Sequence, residues 1–208
     1  MPYTVKIISK DCSDYPKAFQ KKDFLACYPR IWAIGNLDIL DKKLLGFFCS
    51  VKCPGNIILK TYDLARALRD TGIAVISGFH SPIEKDCLDI LIKGNQPIVI
   101  CPARSIENMR IPKVWRKALS QDQLLVLSPF EPKYRRLTGR LAEQRNQFVA
   151  TLADKIFIAH AEQGGGTERF CEEIIRLGKP VYTFDNSGNK NLKQLEILQR
   201  DLKSLGFK

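Results

Sequence analysis

Six short apolar runs punctuate the chain, at Leu44–Cys49, Ile73–Ser77, Pro97–Cys101, Leu124–Leu127, Lys155–Ala159 and Pro180–Phe184. Each is continuous rather than alternating, the pattern of a strand covered on both faces. Segments with helical spacing lie between them. Ile57, Thr61, Leu64, Ala65 and Leu68 form one stripe, stopped by Gly72, and Ile83, Cys87, Ile90 and Leu91 form a second, stopped by Gly94. Leu141, Phe148, Val149 and Leu152 form a third; Phe170, Ile174, Ile175 and Leu177 form a fourth, ended by Gly178 before Pro180. Strands that alternate with helices in this way build an α/β fold, a doubly wound, mostly parallel, Rossmann-like sheet.

Residues 1–40 read differently. A strand candidate at Val5–Ile8 and the aromatics Tyr15, Phe19, Phe24 and Tyr28 precede a run at Ile31–Ile34 and a turn at Gly35-Asn36. This part is expected to be a short N-terminal extension packing on the core, with residues 41–208 as the Rossmann-like domain. Residues 190–205 are expected to form a last amphipathic helix with Leu192, Leu195, Leu198 and Leu202 on one side.

With 208 residues, 45% apolar and 26% charged, the chain has the composition of an ordinary globule with a sizeable core. Its seven cysteines (12, 27, 49, 53, 87, 101 and 171) are odd in number, and no signal-peptide pattern precedes them. Reduced thiols in a cytoplasmic protein are the expectation. Cys49 and Cys53 lack a second close Cys or His pair, so no zinc or other metal is expected, and no cofactor. No apolar run is long enough to span a membrane.

The net charge is +11, unevenly spread: Arg104 to Arg145 holds ten Lys and Arg against four Asp and Glu. Such a concentration attracts polyanions through counterion release. Within it, the segment Pro102–Arg140 reads as a basic arm carrying Arg135, Arg136 and Arg140, with Trp115 and Tyr134 among the cations. Cations interleaved with rings suit a nucleic-acid single strand, whose phosphates meet the charges and whose bases stack on the aromatics.

Three loops follow strand ends, where a wound sheet binds anions. The first, Cys49-Ser50-Val51-Lys52-Cys53-Pro54-Gly55-Asn56, is short and polar and offers Ser50 and the charge of Lys52. The second, Ser77-Gly78-Phe79-His80-Ser81-Pro82-Ile83-Glu84, offers close backbone approach at Gly78, a histidine at the rim, and Pro82 in the first turn of the next helix. The third, Gly164-Gly165-Gly166-Thr167-Glu168, can converge amides on an anion, with Thr167 as a candidate helix cap. Upstream of it, Arg145-Asn146-Gln147-Phe148 reads as a basic-polar helix start, whose Arg145 and Asn146 complete an anion site with the glycine turn. Glu168 reads either as a carboxylate complementing the helix dipole or as a general acid or base.

In this order the motifs resemble the DprA/Smf family of DNA-processing proteins. Asp14-Tyr15-Pro16 is similar to the family's "YP" segment, Ile34-Gly35-Asn36 to its "GN", and Cys49–Gly55 stands where it has a GSR loop. Val75–Glu84 is similar to its "VVSGLARGID" element, Arg145–Asp154 to its "RNRIIAGLSD" helix, and Gly165-Gly166-Thr167 to its "SGS" turn. The GSR arginine falls on Val51, leaving the charge to Lys52. The resemblance implies a non-enzymatic protein that binds single-stranded DNA cooperatively, forms a homodimer, and hands strands to the RecA recombinase in transformation or recombination. Its implied phosphate-binding residues are Ser50, Lys52, Gly78, Arg135, Arg136, Arg140, Arg145, Asn146, Gly164, Gly165, Gly166 and Thr167. The glycine turn with Glu168 is also similar to the lysine-decarboxylase-like (LOG) family. That alternative implies an enzyme or sensor for small nucleotides, with Arg145 and Glu168 paired on the N-glycosidic bond of a nucleoside monophosphate.

Overall fold

The computed structural model describes residues 3–9, 11, 15–20, 24–193 and 198–199. Nine strands form one sheet: β1 (Lys6–Ser9), β2 (Arg30–Gly35), β3 (Leu44–Phe48), β4 (Ala74–Ser77), β5 (Ile98–Ile100), β6 (Leu124–Ser128), β7 (Lys155–Ile158), β8 (Val181–Thr183) and β9 (Leu198–Gln199). Their spatial order is β1-β2-β6-β5-β4-β3-β7-β8-β9. From β6 to β9 every pair is parallel, whereas β2 runs antiparallel to both β1 and β6. The doubly wound, mostly parallel sheet is as the apolar runs imply.

The segment expected as an extension packed against the sheet is part of it, since β1 and β2 continue the ladder beyond β6. Phe19 and Phe24, from the same segment, stack on each other with centroids 5.0 Å apart and are fully buried beneath Phe148.

The principal helices are α1 (Phe24–Cys27), α2 (Gly55–Leu68), α3 (Pro82–Leu91), α4 (Lys113–Ser120), α5 (Gly139–Leu152), α6 (Gly166–Arg176) and α7 (Lys190–Lys193). They cover the sheet in two layers, because alternate residues of each strand point to opposite faces. One core joins Leu44, Phe48, Ile76, Val99 and Leu125 to Phe148 and Val149 of α5 and Phe170 and Ile174 of α6. The other joins Leu45, Phe47, Val75, Ile98 and Leu124 to Leu64 and Leu68 of α2, Cys87 and Leu91 of α3, and Ala118 and Leu119 of α4.

Two segments depart from expectation. The stretch Pro102–Arg140 is no single arm, because α4 and β6 cut it into separate basic segments. The helix expected over 190–205 is seen only as α7, since Leu198 and Gln199 pair in parallel with Tyr182 and Thr183 instead. Leu195 and Leu202 lie outside the described residues, as do Asp14 and Cys12. No helix among the described residues is long and apolar enough to cross a membrane.

Candidate functional site

The chain builds outward from β3 through β4, β5 and β6, then returns to lay β7 on the other side of β3. Connections leave the sheet in opposite senses at that point, so the carboxyl ends of β3 and β7 part and leave a crevice between them. A cavity of about 530 Å3 lies there. Its walls come from the loop after β3 (Ser50, Val51), the loop after β4 (His80, Ser81), one side of α5 (Ala142, Arg145, Asn146) and the start of α6 (Gly165, Gly166, Thr167). Arg145 and the triple-glycine turn, distant in sequence, therefore share one site.

Arg145 is the floor. Only 4% of its surface is exposed, and its Nη1 donates to the Cys101 carbonyl at 3.1 Å while Nε donates to Asn146 Oδ1 at 2.8 Å. Gly78 makes this placement possible, because a Cβ there would overlap the guanidinium. The opposing charge is Glu84, a buried carboxylate in the third position of α3. Its Oε1 accepts from the Cys49 amide at 2.9 Å, and its Oε2 accepts from the amides of His80 at 2.7 Å and Ser81 at 3.3 Å. The Ser81 hydroxyl returns a bond from the Glu84 amide, closing a capping box. One carboxylate thereby fixes the two loops that flank the crevice.

Burial pushes the Glu84 carboxyl above its ordinary range, opposed by Arg145 and by the three amides. Burial likewise lowers the Arg145 guanidinium, which the Glu84 charge holds up. Glu84, at the end of the second loop, carries no site role in the sequence reading, although Ser81-Pro82-Ile83-Glu84 has a readable capping-box signature. His80 is exposed, and its ring sits below the ordinary histidine value through partial burial and through the neighbouring charges of Arg145 and Lys85.

Ser50 is buried and ties the two halves of the sheet together. Its amide donates to the His160 carbonyl at 2.9 Å and its hydroxyl accepts from the Glu162 amide at 3.0 Å. Lys52 stands outside the crevice wall, in an exposed ion pair with Glu162 at 3.2 Å. An exposed pair of this kind is worth under about 1 kcal/mol, so the Lys52 charge can be redirected to a ligand at little cost.

The glycine turn is largely closed upon itself. Gly164, in the left-handed region at φ +70°, donates its amide to Glu168 Oε2 at 2.6 Å, and Gly165 donates to the Glu162 carbonyl at 2.9 Å. The helix cap is Gly165, so Thr167 falls in the first turn and its hydroxyl does not cap it. The amides of Gly166 and Thr167 occupy helix positions that have no intrahelical partner, and both residues line the crevice. Glu168 is not among the residues lining the crevice. Its second oxygen accepts from the Asn191 side chain, so both oxygens brace the turn rather than face Arg145.

The acidic lining is substantial. Glu84, Glu143, Glu162 and Glu173 line the crevice together with the cations Arg145 and Arg169. Unpaired positive charge lies next door. Arg135, Arg136 and Arg140 are exposed, and none has a carboxylate within 4.0 Å among the described residues. They surround a second hollow with Thr138 and Gln144, across the first turns of α5 from the crevice. Lys133, beside them, pairs with Glu131 at 2.8 Å and sits 5.1 Å over the Tyr134 ring. Of the expected phosphate-binding residues, Ser50, Arg145, Asn146, Gly165, Gly166 and Thr167 meet in the crevice; the three arginines form the neighbouring rim. Gly78 and Gly164 support the crevice from behind its wall, and Lys52 stands at its mouth.

The sequence matches the family model of DNA recombination-mediator protein A over residues 6–196. The chain belongs to that family of DNA-processing proteins. Its fold is similar to DNA processing protein A from Streptococcus pneumoniae, at TM-score 0.75 and 18% identity, over 94% of this chain and 70% of that one. It is equally similar to DNA processing protein A from Helicobacter pylori, at TM-score 0.74 and 17% identity, over 95% of this chain and 91% of that one. The molybdenum cofactor binding protein of the phototrophic bacterium Rippkaea orientalis shares less of the fold, at TM-score 0.53 and 12% identity, over 77% of this chain and 90% of that one. No curated protein matches the sequence.

Proposed function

We propose that this family member binds single-stranded DNA along the carboxyl edge of its sheet, without chemistry on the strand. The observation that carries the reading is the rim of three exposed, carboxylate-free arginines, Arg135, Arg136 and Arg140, beside the crevice at the switch point. Carboxylates on the crevice wall repel a run of phosphates, so the run lies on the arginine rim. The Gly166 and Thr167 amides, Ser50 and Lys52 then receive one phosphate at the crevice mouth, above the buried Arg145–Asn146 floor. A relative from Helicobacter pylori is described as having a unique single-stranded DNA binding mode, which supports this ligand class. The same reading extends to a homodimer as the working form, to transfer of the strand to RecA, and to the cytoplasm as the place of action. The nucleotide-cleaving alternative loses its acid, because Glu168 spends both oxygens on the turn.

The test is titration of a labelled oligonucleotide at several salt concentrations. Affinity should fall steeply with salt, since each phosphate neutralised contributes a slope of about −0.7 in the log–log plot for single strands. A flat response between about 50 and 200 mM salt overturns the assignment.

A further inference from the structure

A separate slot lies at the ends of β4 and β5, on the far side of Arg145 from the crevice, with a volume of about 450 Å3. Its walls are mainly apolar: Phe79, Leu88, Met109, Trp115 and Leu137. Charges ring its edge, with Lys85 and Arg104 exposed and the Arg145 guanidinium reaching it from behind Gly78. Phe79 holds its backbone at φ 45°, a left-handed conformation that bulky side chains seldom adopt. Such strain persists where surrounding structure imposes it, and it gathers at binding sites. The conformation is fixed by the Phe79 amide donating to Ser77 Oγ at 3.1 Å, and it sets the ring in the slot wall. Trp115 projects from α4 and is half-buried, packed on the Leu119 side of the core.

An apolar slot of this volume with an indole on one wall and cations at its edge has the chemistry of a nucleobase pocket: a flat π-face inside, a phosphate outside. Asp89, exposed at the same edge, can accept from the exocyclic amine that adenine, cytosine and guanine carry. Of the other aromatics in the basic region, Phe130 is buried, and the Tyr134 ring is already occupied by the Lys133 ammonium and by the edge of Phe130 at 6.2 Å. Arg145 is common to the slot and to the crevice, so a strand held at one is placed for the other.

We propose that this slot takes one unpaired base of the bound strand, stacked on Trp115, with the adjoining phosphate on Lys85 and Arg104. The proposal rests on the single-strand reading above and adds to it a second subsite that reads the base face. It predicts a preference for single strands over duplex, because a base stacked within a helix cannot enter.

Two oligonucleotides of equal length decide it, one ordinary and one wholly abasic. Trp32 is 3% exposed in the sheet, which leaves Trp115 as the solvent-facing indole. The ordinary strand should quench the intrinsic fluorescence, and the abasic strand should bind with a similar salt slope, roughly tenfold more weakly and without quenching. In Trp115→Phe the quenching should vanish. In Trp115→Ala the affinity for the ordinary strand should fall roughly tenfold while that for the abasic strand stays unchanged. Equal affinity for the two strands, or an equal loss on both in Trp115→Ala, overturns the slot while leaving phosphate binding intact. Failure of both strands to bind overturns the single-strand reading itself.

Discussion

Arg145 shows how one residue's role depends on another that sequence spacing does not reveal. The run Arg145-Asn146 reads in the sequence as a basic-polar helix start, yet the helix begins six residues earlier, at Gly139 behind the Thr138 cap, and nothing local says that the guanidinium turns inward. That outcome depends on the missing Cβ at Gly78, the Cys101 carbonyl and the buried Glu84 carboxylate, all far away in the chain. Gly78→Ala is accordingly predicted to act as an Arg145 variant in disguise. The added methyl overlaps the guanidinium and ejects it from its bonds, costing about 1–3 kcal/mol of stability in a urea titration. Oligonucleotide affinity should fall together with that of Arg145→Ala, and the double variant should show no further loss; additive losses would separate the two residues.

His80 gives a pH signature at the same scale. Its imidazolium is disfavoured by partial burial and by Arg145 and Lys85, so the free protein holds the ring neutral below the ordinary value near 6.5. The unfolded chain binds the proton more readily there, and stability therefore declines slightly as pH falls through that value. A phosphate beside the ring reverses the preference, so binding takes up a proton. Affinity should rise as pH drops below about 6.5, by at most about tenfold per pH unit, and His80→Gln should flatten the profile. An unchanged profile in His80→Gln removes the ring from the strand path.

At the scale of elements, the strands were the most legible part because continuous β-branched and leucine-rich runs have few alternatives in a buried sheet. Helix α4 was not legible. Its first turns carry Lys113, Val114, Arg116 and Lys117 to solvent, and only Ala118 and Leu119 are fully buried, too short a stripe to register against the charge. Leu198 misled in the opposite direction: leucines at helical spacing were present, but the open edge of β8 offered backbone partners that a surface helix would leave unused. The basic segment, read as one arm, is divided by the intervening β6. Arg110 and Arg116 border a hollow with Tyr3 and Met109, whereas Arg135, Arg136 and Arg140 border α5. This division predicts unequal effects. Arg135→Glu with Arg136→Glu should lower affinity by tenfold or more and reduce the salt slope by about 1.4, the contribution of two phosphate contacts. Arg110→Glu with Arg116→Glu, an equal change of net charge, should do much less. Equal losses would mean that overall charge, not the rim, governs binding.

For the whole molecule, the decisive fact is where the chain reverses. Strands β3 to β6 and strands β7 to β9 are two windings of one sheet, joined strand to strand by the β3–β7 ladder, with Ser50 bonded across it to His160 and Glu162. Alternating runs and stripes announced both windings, but not their order, nor that the N-terminal residues would add β1 and β2 antiparallel beyond β6. Strand order is set by which edges pair, and buried apolar runs are nearly interchangeable in that respect. A strand on the arginine rim with one phosphate at the crevice mouth contacts loops of both windings there and should behave as a clamp between them. Hydrogen exchange then gives a specific expectation: a bound oligonucleotide should slow exchange together in residues 49–54 and in residues 163–168. At a free concentration about a hundredfold above Kd the linkage adds about 2.7 kcal/mol to the unfolding free energy. For a chain of this length that raises Tm by roughly 5–10 °C. Protection confined to one winding, with no rise in Tm, would place the strand elsewhere on the surface and leave the switch-point crevice without its ligand.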